Sequence, residues 1–258
     1  MDDLEKLITP EEIQKFDKSE QARQAVSTLG RYIEKTAPAM PTQSDYCQVR
    51  DHLIARLRIK NACRAGPLSN MTIGELQKAR KDGDDMLVTV MKDTTVVTHG
   101  PASVVLSLTV LKWLQTFVKH MRNKVPGAGI CSDDKVFISW TANEMSSSAI
   151  SAQLNSFWQK AIGKELNRVC ATSFRKAAVS EIHENHKNVK GDLADLMGHH
   201  PKTAKKYYRI RQKSKSAART SEALRKIMYT PCNPTKADTS SVSVDPNEET
   251  ITCRKKTT

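Results

Sequence analysis

Apolar residues along this chain fall into blocks with two periods, one close to 3.6 residues and one close to 2. Thr9-Pro10-Glu11-Glu12 opens the first helical block. Thr9 suits the N-cap, Pro10 takes a position whose N–H has no helical partner, and Glu12 completes a capping box. Helical sequence continues with interruptions to about Lys35, and the Pro-bearing stretch 37–43 breaks it. From Ser44 a second helix puts Val49, Leu53 and Leu57 on one stripe, with Gly66-Pro67 as its expected stop and Arg64 in its last turn. Between 76 and 99 the period shortens: 86–91 and 94–98 are β-rich runs joined at Lys92-Asp93, with turn residues at 81–84 before them. A three-stranded antiparallel sheet is the economical reading.

Helical spacing returns over 101–122, with Val104, Leu108, Leu111 and either Leu114 or Trp113 inward and Lys112, Lys119 and Arg122 outward. A Gly- and Pro-bearing loop spans 123–134, and Val136-Phe137-Ile138 reads as a short buried extended piece. Residues 147–162 form another helix carrying Ile150, Leu154, Phe157, Trp158 and Ile162, with its aromatics expected in the core. In 174–184 the apolar residues Phe174, Ala177, Ala178 and Ile182 again recur at helical spacing. A shorter amphipathic piece follows, Leu193, Leu196 and Met197 inward, ended by Gly198, so that His199 sits just past a helix end. Pro201 fits the first turn of a helix carrying Tyr207 and Tyr208. Helical neighbours point about 100° apart, so only one of these phenols can face a site shared with Arg175 and His199. A basic hinge (209–220) and a short helix (221–228) close the folded part. The fold class expected is mainly α with a small three-stranded antiparallel sheet (α+β). Residues 1–43 form an N-terminal helix and linker, 44–228 the main domain, and 229–258 a disordered tail too poor in apolar groups to fold.

Lys and Arg number 41 against 28 acidic residues, a formal charge of +13, for which a polyanionic partner is the simplest reason. Six cysteines, at 47, 63, 131, 170, 232 and 253, show no C-x-x-C pair and read as reduced thiols. His183, His186, His199 and His200 have no cysteine at metal-ligand spacing, so no metal is expected. The acidic start, residues 1–12, has no apolar h-region, which argues against secretion, and no stretch approaches the roughly 20 apolar residues of a membrane span. A cytoplasmic location, or a nuclear one in a eukaryote, is expected.

Arg175, the trio Met197-Gly198-His199 and Tyr208, nine positions after that histidine, resemble the catalytic core of the tyrosine recombinases and phage integrases. Tyr207 falls one short of the family spacing. Upstream, Arg64 lies in a segment that resembles the family's first box, and Lys92 sits where the family places a mobile lysine at a hairpin tip. The resemblance covers about residues 8–228 and implies a tyrosine recombinase catalytic-domain fold, possible descent from a transposon-type integrase, and a double-stranded DNA partner. It also implies action as a homo-oligomer on that DNA, with no cofactor. It implies that Arg64, Arg175 and His199 hold a phosphate, Lys92 acts as general acid, and Tyr208 forms a 3′-phosphotyrosyl intermediate. Two positions depart from the pattern: Thr172 stands where most members have a histidine, and Pro67 where an acidic residue is common. A catalytically impaired DNA-binding descendant is therefore the alternative. Roughly thirty residues precede the family pattern's first helix and match its N-terminal clamp domain poorly, so a clamp is expected from a longer chain or from a partner.

Overall fold

The structure, a computed structural model, describes residues 8–62, 64–92, 101–163 and 176–177. All of them fall in the unit Met1–Lys215. The chain begins as the capping pattern dictates. In α1 (Pro10–Asp17) the Glu12 amide donates to Thr9 Oγ1 at 3.3 Å while the Thr9 amide donates to Glu12 Oε2 at 2.8 Å. The interruption after it is Ser19, whose hydroxyl donates to Phe16 O (2.7 Å) and accepts from Ala22 N (3.2 Å), ending one helix and starting α2 (Glu20–Ile33).

Around α3 (Gln43–Asn61) the rest is assembled. The stripe Val49, Leu53 and Leu57 is buried as expected, yet so are Arg50, Asp51, His52 and Arg58 on its other sides. A helix buried all round lies inside the protein rather than on its surface. It touches α2, the third strand, α6 (Leu108–His120) and α7 (Ser147–Ile162). Several of its buried polar groups are held by bonds: Arg50 Nε meets Asp51 Oδ1 at 2.8 Å, and Tyr46 OH and Arg50 Nη1 both donate to Ile138 O, at 2.9 and 3.3 Å. His52 makes no such bond. It sits among the rings of Phe16 (6.0 Å, stacked), Trp113 (5.9 Å) and Phe157 (6.3 Å), and neither ring nitrogen has a hydrogen-bond partner among the described residues. Burial, helped by the Arg56 charge, drops its pKa to about 3, so the imidazole is neutral.

The sheet is antiparallel, in the order β1 (Arg80–Asp82), β2 (Asp85–Val90), β3 (Ala102–Ser107), with Leu87 opposite Val105. Gly83, at φ +59, turns β1 into β2, a backbone state that favours glycine. Val88, Val90, Val104 and Leu106 fill the core side.

Several expectations change here. The single helix expected over 101–122 is a strand followed by a helix: 102–107 pairs with β2, and Ser107 then caps α6 by accepting from Val110 N at 3.3 Å. Val104 faces inward, but from a strand, and Leu108, expected inward, is exposed at the helix start. The run 94–98 lies outside the described residues. Arg122, expected outward, is 1% exposed. Its Nε donates to Lys135 O at 2.9 Å and its Nη1 to Asn123 Oδ1 at 3.2 Å and to Gly129 O, so it serves the loop after α6 as an internal anchor. Helix α7 keeps its expected span, with Ile150, Leu154, Phe157 and Trp158 buried. Helices α1 and α2 share the apolar cluster with α3 and α7 through Phe16, Ala25 and Leu29. The segments expected as a basic hinge, a last helix and a tail lie outside the described residues.

Candidate functional site

Arg64 is placed by an abrupt change of direction. Helix α3 ends at Asn61, not at Gly66, because Ala62 adopts the left-handed conformation (φ 46, ψ 23) and returns its amide to Arg58 O at 2.9 Å. Arg64 is thus not in a last helical turn. It is the extended N-cap residue (φ −68, ψ 164) of α4 (Ala65–Asn70), half-buried, and no salt bridge engages it among the described residues. Gly66-Pro67 falls inside α4. Pro67 is its third residue, where a first-turn amide has no helical acceptor, so the missing N–H costs little. Ala65, Pro67 and Leu68 are buried, and α4 packs on α7.

The residues just before Arg64 tie this junction to the sheet. Asn61, fully buried, donates from Nδ2 to Val105 O at 2.9 Å and accepts the Val105 amide on Oδ1 at 2.7 Å. Its amide thereby does for the outer edge of β3 what a fourth strand would do. Lys60 adds an ion pair to Asp85, the first residue of β2, at 2.6 Å.

After α4 comes α5 (Ile73–Gln77), which is seated on the loop before Val136. Ile73 N donates to Asp134 O (2.9 Å) and Gly74 N to Ser132 O (2.7 Å), while Lys135 Nζ reaches Asn70 O (3.2 Å). A Cβ on Gly74 would stand 2.9 Å from Ser132 Cβ, so only glycine fits without a shift. Thr72 and Glu75 form a second capping box: Glu75 N donates to Thr72 Oγ1 at 3.2 Å, and Thr72 N to Glu75 Oε2 at 2.9 Å. The other carboxylate oxygen, Oε1, accepts the amide of Met91 at 2.8 Å.

Met91 precedes Lys92, which is exposed and lies two residues past the end of β2, in the connection to β3. Of the two described candidates, Lys92 is tied to α5 through Met91 and Glu75, while Arg64 opens α4, which leads along the chain into α5. Thr172, Arg175, His199 and Tyr208, together with Tyr207, lie outside the described residues. Directly after Arg175, Lys176 and Ala177 are helical, and Ala177 packs against the core. Sequence reasoning missed Asn61, Gly74 and Glu75. For Glu75 a signal was present, the Thr72-x-x-Glu75 pattern of a capping box; Asn61 left none, since a buried asparagine has no periodic signature.

No family model matches the sequence, and no match is found among curated proteins. Solved structures do match. XerA recombinase superposes with a TM-score of 0.50 at 14% identity over 83% of this chain and 63% of that one. XerH site-specific recombinase in a post-cleavage complex with a palindromic difH substrate gives 0.54 at 13% identity over 84% and 53%, and its pre-cleavage complex with difH gives 0.53 at 11% identity over 78% and 50%. This chain spans between half and two thirds of the length of those recombinases. What they share with it is the fold: mostly helical, with one small three-stranded antiparallel sheet, as in the catalytic domains of tyrosine recombinases.

Proposed function

We propose that this chain is the catalytic domain of a DNA breaking and rejoining enzyme that uses Tyr208 as its nucleophile. The observation that carries the reading is order: Arg64, Lys92, Arg175, His199 and Tyr208 follow one another in the family's sequence along a chain with a recombinase fold. The net charge of +13 suits a phosphodiester partner.

A phenol with a pKa of about 10 is a weak nucleophile at neutral pH and needs positive charge around the phosphate it attacks. Arg64 and Arg175 offer planar forks to the non-bridging oxygens, and His199 adds a third donor. The Tyr208 phenol gives up its proton to water as its oxygen bonds to phosphorus and the bond to the 5′ oxygen breaks, and Lys92 gives that leaving oxygen a proton. The DNA is then held as a 3′-phosphotyrosyl ester. A 5′-hydroxyl from another strand reverses the step, an exchange that calls for more than one copy of the chain on the DNA.

Thr172 supports a second reading, a DNA-binding descendant with impaired catalysis. A threonine hydroxyl can hydrogen-bond a phosphate but cannot shuttle a proton near neutral pH. One experiment separates the two. A pool of nicked duplexes with a randomised centre is incubated with the protein and run on a denaturing gel. The first reading expects a covalent adduct that falls at least about 10³-fold in Tyr208→Phe and persists in Tyr207→Phe. Thr172→His should raise its rate, by up to about 10²-fold. No adduct with salt-sensitive DNA binding intact selects the second reading, and no DNA binding at about 100 mM salt overturns both.

A further inference from the structure

Glu75 uses its two carboxylate oxygens for two different purposes. A capping box needs only one of them, and Oε2 supplies it by accepting the Thr72 amide at 2.9 Å. Oε1 accepts the Met91 amide at 2.8 Å, from sixteen residues further along the chain. The last rung of the β2–β3 ladder is Val90 opposite Ala102. Beyond it the main chain has left the sheet, and the Glu75 bond holds it at the final position before Lys92.

The support behind Glu75 is rigid. Ile73 and Gly74 donate to the carbonyls of Asp134 and Ser132, and Gly74 lies too close to Ser132 for any side chain. A carboxylate fixed on such a shelf makes a short, charge-assisted bond with a defined direction. Lys92 itself is exposed, with no salt bridge among the described residues, so its starting point is set by main chain and not by its own contacts.

We propose that Glu75 is a positioning residue which, through the Met91 amide, fixes where Lys92 departs from the sheet and so places its ammonium against the leaving 5′ oxygen. The inference rests on the assignment of Lys92 as general acid made above. A displacement of 1 Å at a reacting group can cost about 10²-fold in rate, so loss of this bond is expected to slow proton delivery while leaving DNA affinity alone.

The test compares variants in single-turnover cleavage of a nicked duplex that the wild-type chain cleaves, enriched from the random pool. A second form of this duplex carries sulfur in place of the 5′-bridging oxygen. A thiol has a pKa of about 8.5, so a thiolate departs without a proton and bypasses the general acid. Glu75→Ala should slow the oxygen substrate about 10- to 100-fold, with DNA affinity unchanged and cleavage of the sulfur substrate close to the wild-type rate. Lys92→Ala should be rescued in the same way. Thr72→Ala removes the hydroxyl half of the capping box but keeps the bond to Met91, so it should cleave both substrates like wild type. Glu75→Gln can still cap α5, but its NH2 group then stands where a carboxylate oxygen accepted the Met91 amide and meets that donor with another, so it should behave like a milder Glu75→Ala. Amide exchange at Met91 should quicken in Glu75→Ala and not in Thr72→Ala.

If Thr72→Ala is as slow as Glu75→Ala, if sulfur fails to rescue Glu75→Ala or Lys92→Ala, or if Met91 exchange is unmoved, the positioning role is overturned. Those results leave the cleavage reaction standing. A wild-type chain that forms no adduct with any duplex in the pool sinks the recombinase reading first, and the positioning role with it.

Discussion

The interior around α3 and the shelf that carries Arg64 and Lys92 are held together by different forces. Inside, the rings of Phe16, His52, Phe157 and Trp158 meet one another at centroid distances of 4.9 to 6.3 Å, some stacked and some edge-on, within the apolar cluster that α3 shares, a contact that is strong but weakly directional. On the shelf, Asn61, Gly74, Glu75, Arg122 and Lys135 act through hydrogen bonds to main-chain atoms far away in sequence. Apolar packing sets which elements meet, and bonds with a fixed length and angle set the course of the main chain on either side of Arg64 and Lys92.

Phe16→Ala tests the interior half of that contrast, and the expected loss of stability is about 3–5 kcal/mol by chemical denaturation, with amide protection in the β2–β3 hairpin falling only in step with global stability. A shelf held chiefly by packing would instead show extra loosening confined to the hairpin. The next effect is pH-dependent. His52 has a folded pKa of about 3, below the ordinary 6.5, so the unfolded chain binds a proton in that window and the folded one does not. Stability from this group is full above about pH 6.5 and is lost as pH falls toward 3, on the order of 5 kcal/mol in total. His52→Phe should flatten that part of the stability curve against pH. An unchanged acid slope would place the lost stability elsewhere.

On the shelf, Asn61→Leu keeps the bulk but leaves the Val105 amide and carbonyl without partners. A loss of about 1–3 kcal/mol is expected, with faster exchange concentrated in β3. A uniform change across the protein would show that the amide contributes bulk and not direction. Smallest is Lys60→Ala. Its pair with Asp85 is about a third exposed on both sides, at 36% and 38%, so no more than about 1 kcal/mol is at stake, and less at high salt.

The same division decides what could be read from the chain. The capping box at Thr9, the stripe on α3 and the span of α7 are local patterns, and the sequence states them directly. Residues 102–107 misled because Val104, Leu108 and Leu111 fit a helical period as well as Val104 and Leu106 fit an alternating one; Ser107, the true cap, was the discriminating signal. Gly66-Pro67 looked like a stop because glycine and proline so often are one, yet an alanine in the left-handed state had already ended α3. Arg122 read as solvated because nothing local marks a cation whose acceptors are carbonyls of a later loop. Of the candidate site, Arg64 and Lys92 were singled out by motif, whereas of the groups that hold their surroundings only Glu75 left a local signal, its capping box with Thr72.

The loop that seats α5 gives its backbone oxygens, at Ser132 and Asp134, and these belong to every amino acid. Apart from Asp134, whose carboxylate accepts the Cys131 amide, and Lys135, which reaches Asn70 O, its side chains are therefore comparatively free to drift among descendants, while its length is not, because one inserted or deleted residue would withdraw both acceptors from the first turn of α5. Surface loops usually absorb such length changes first. Here the segment that resembles a spacer behaves as a measured strut, and indels are expected to be excluded from it even where its composition has turned over.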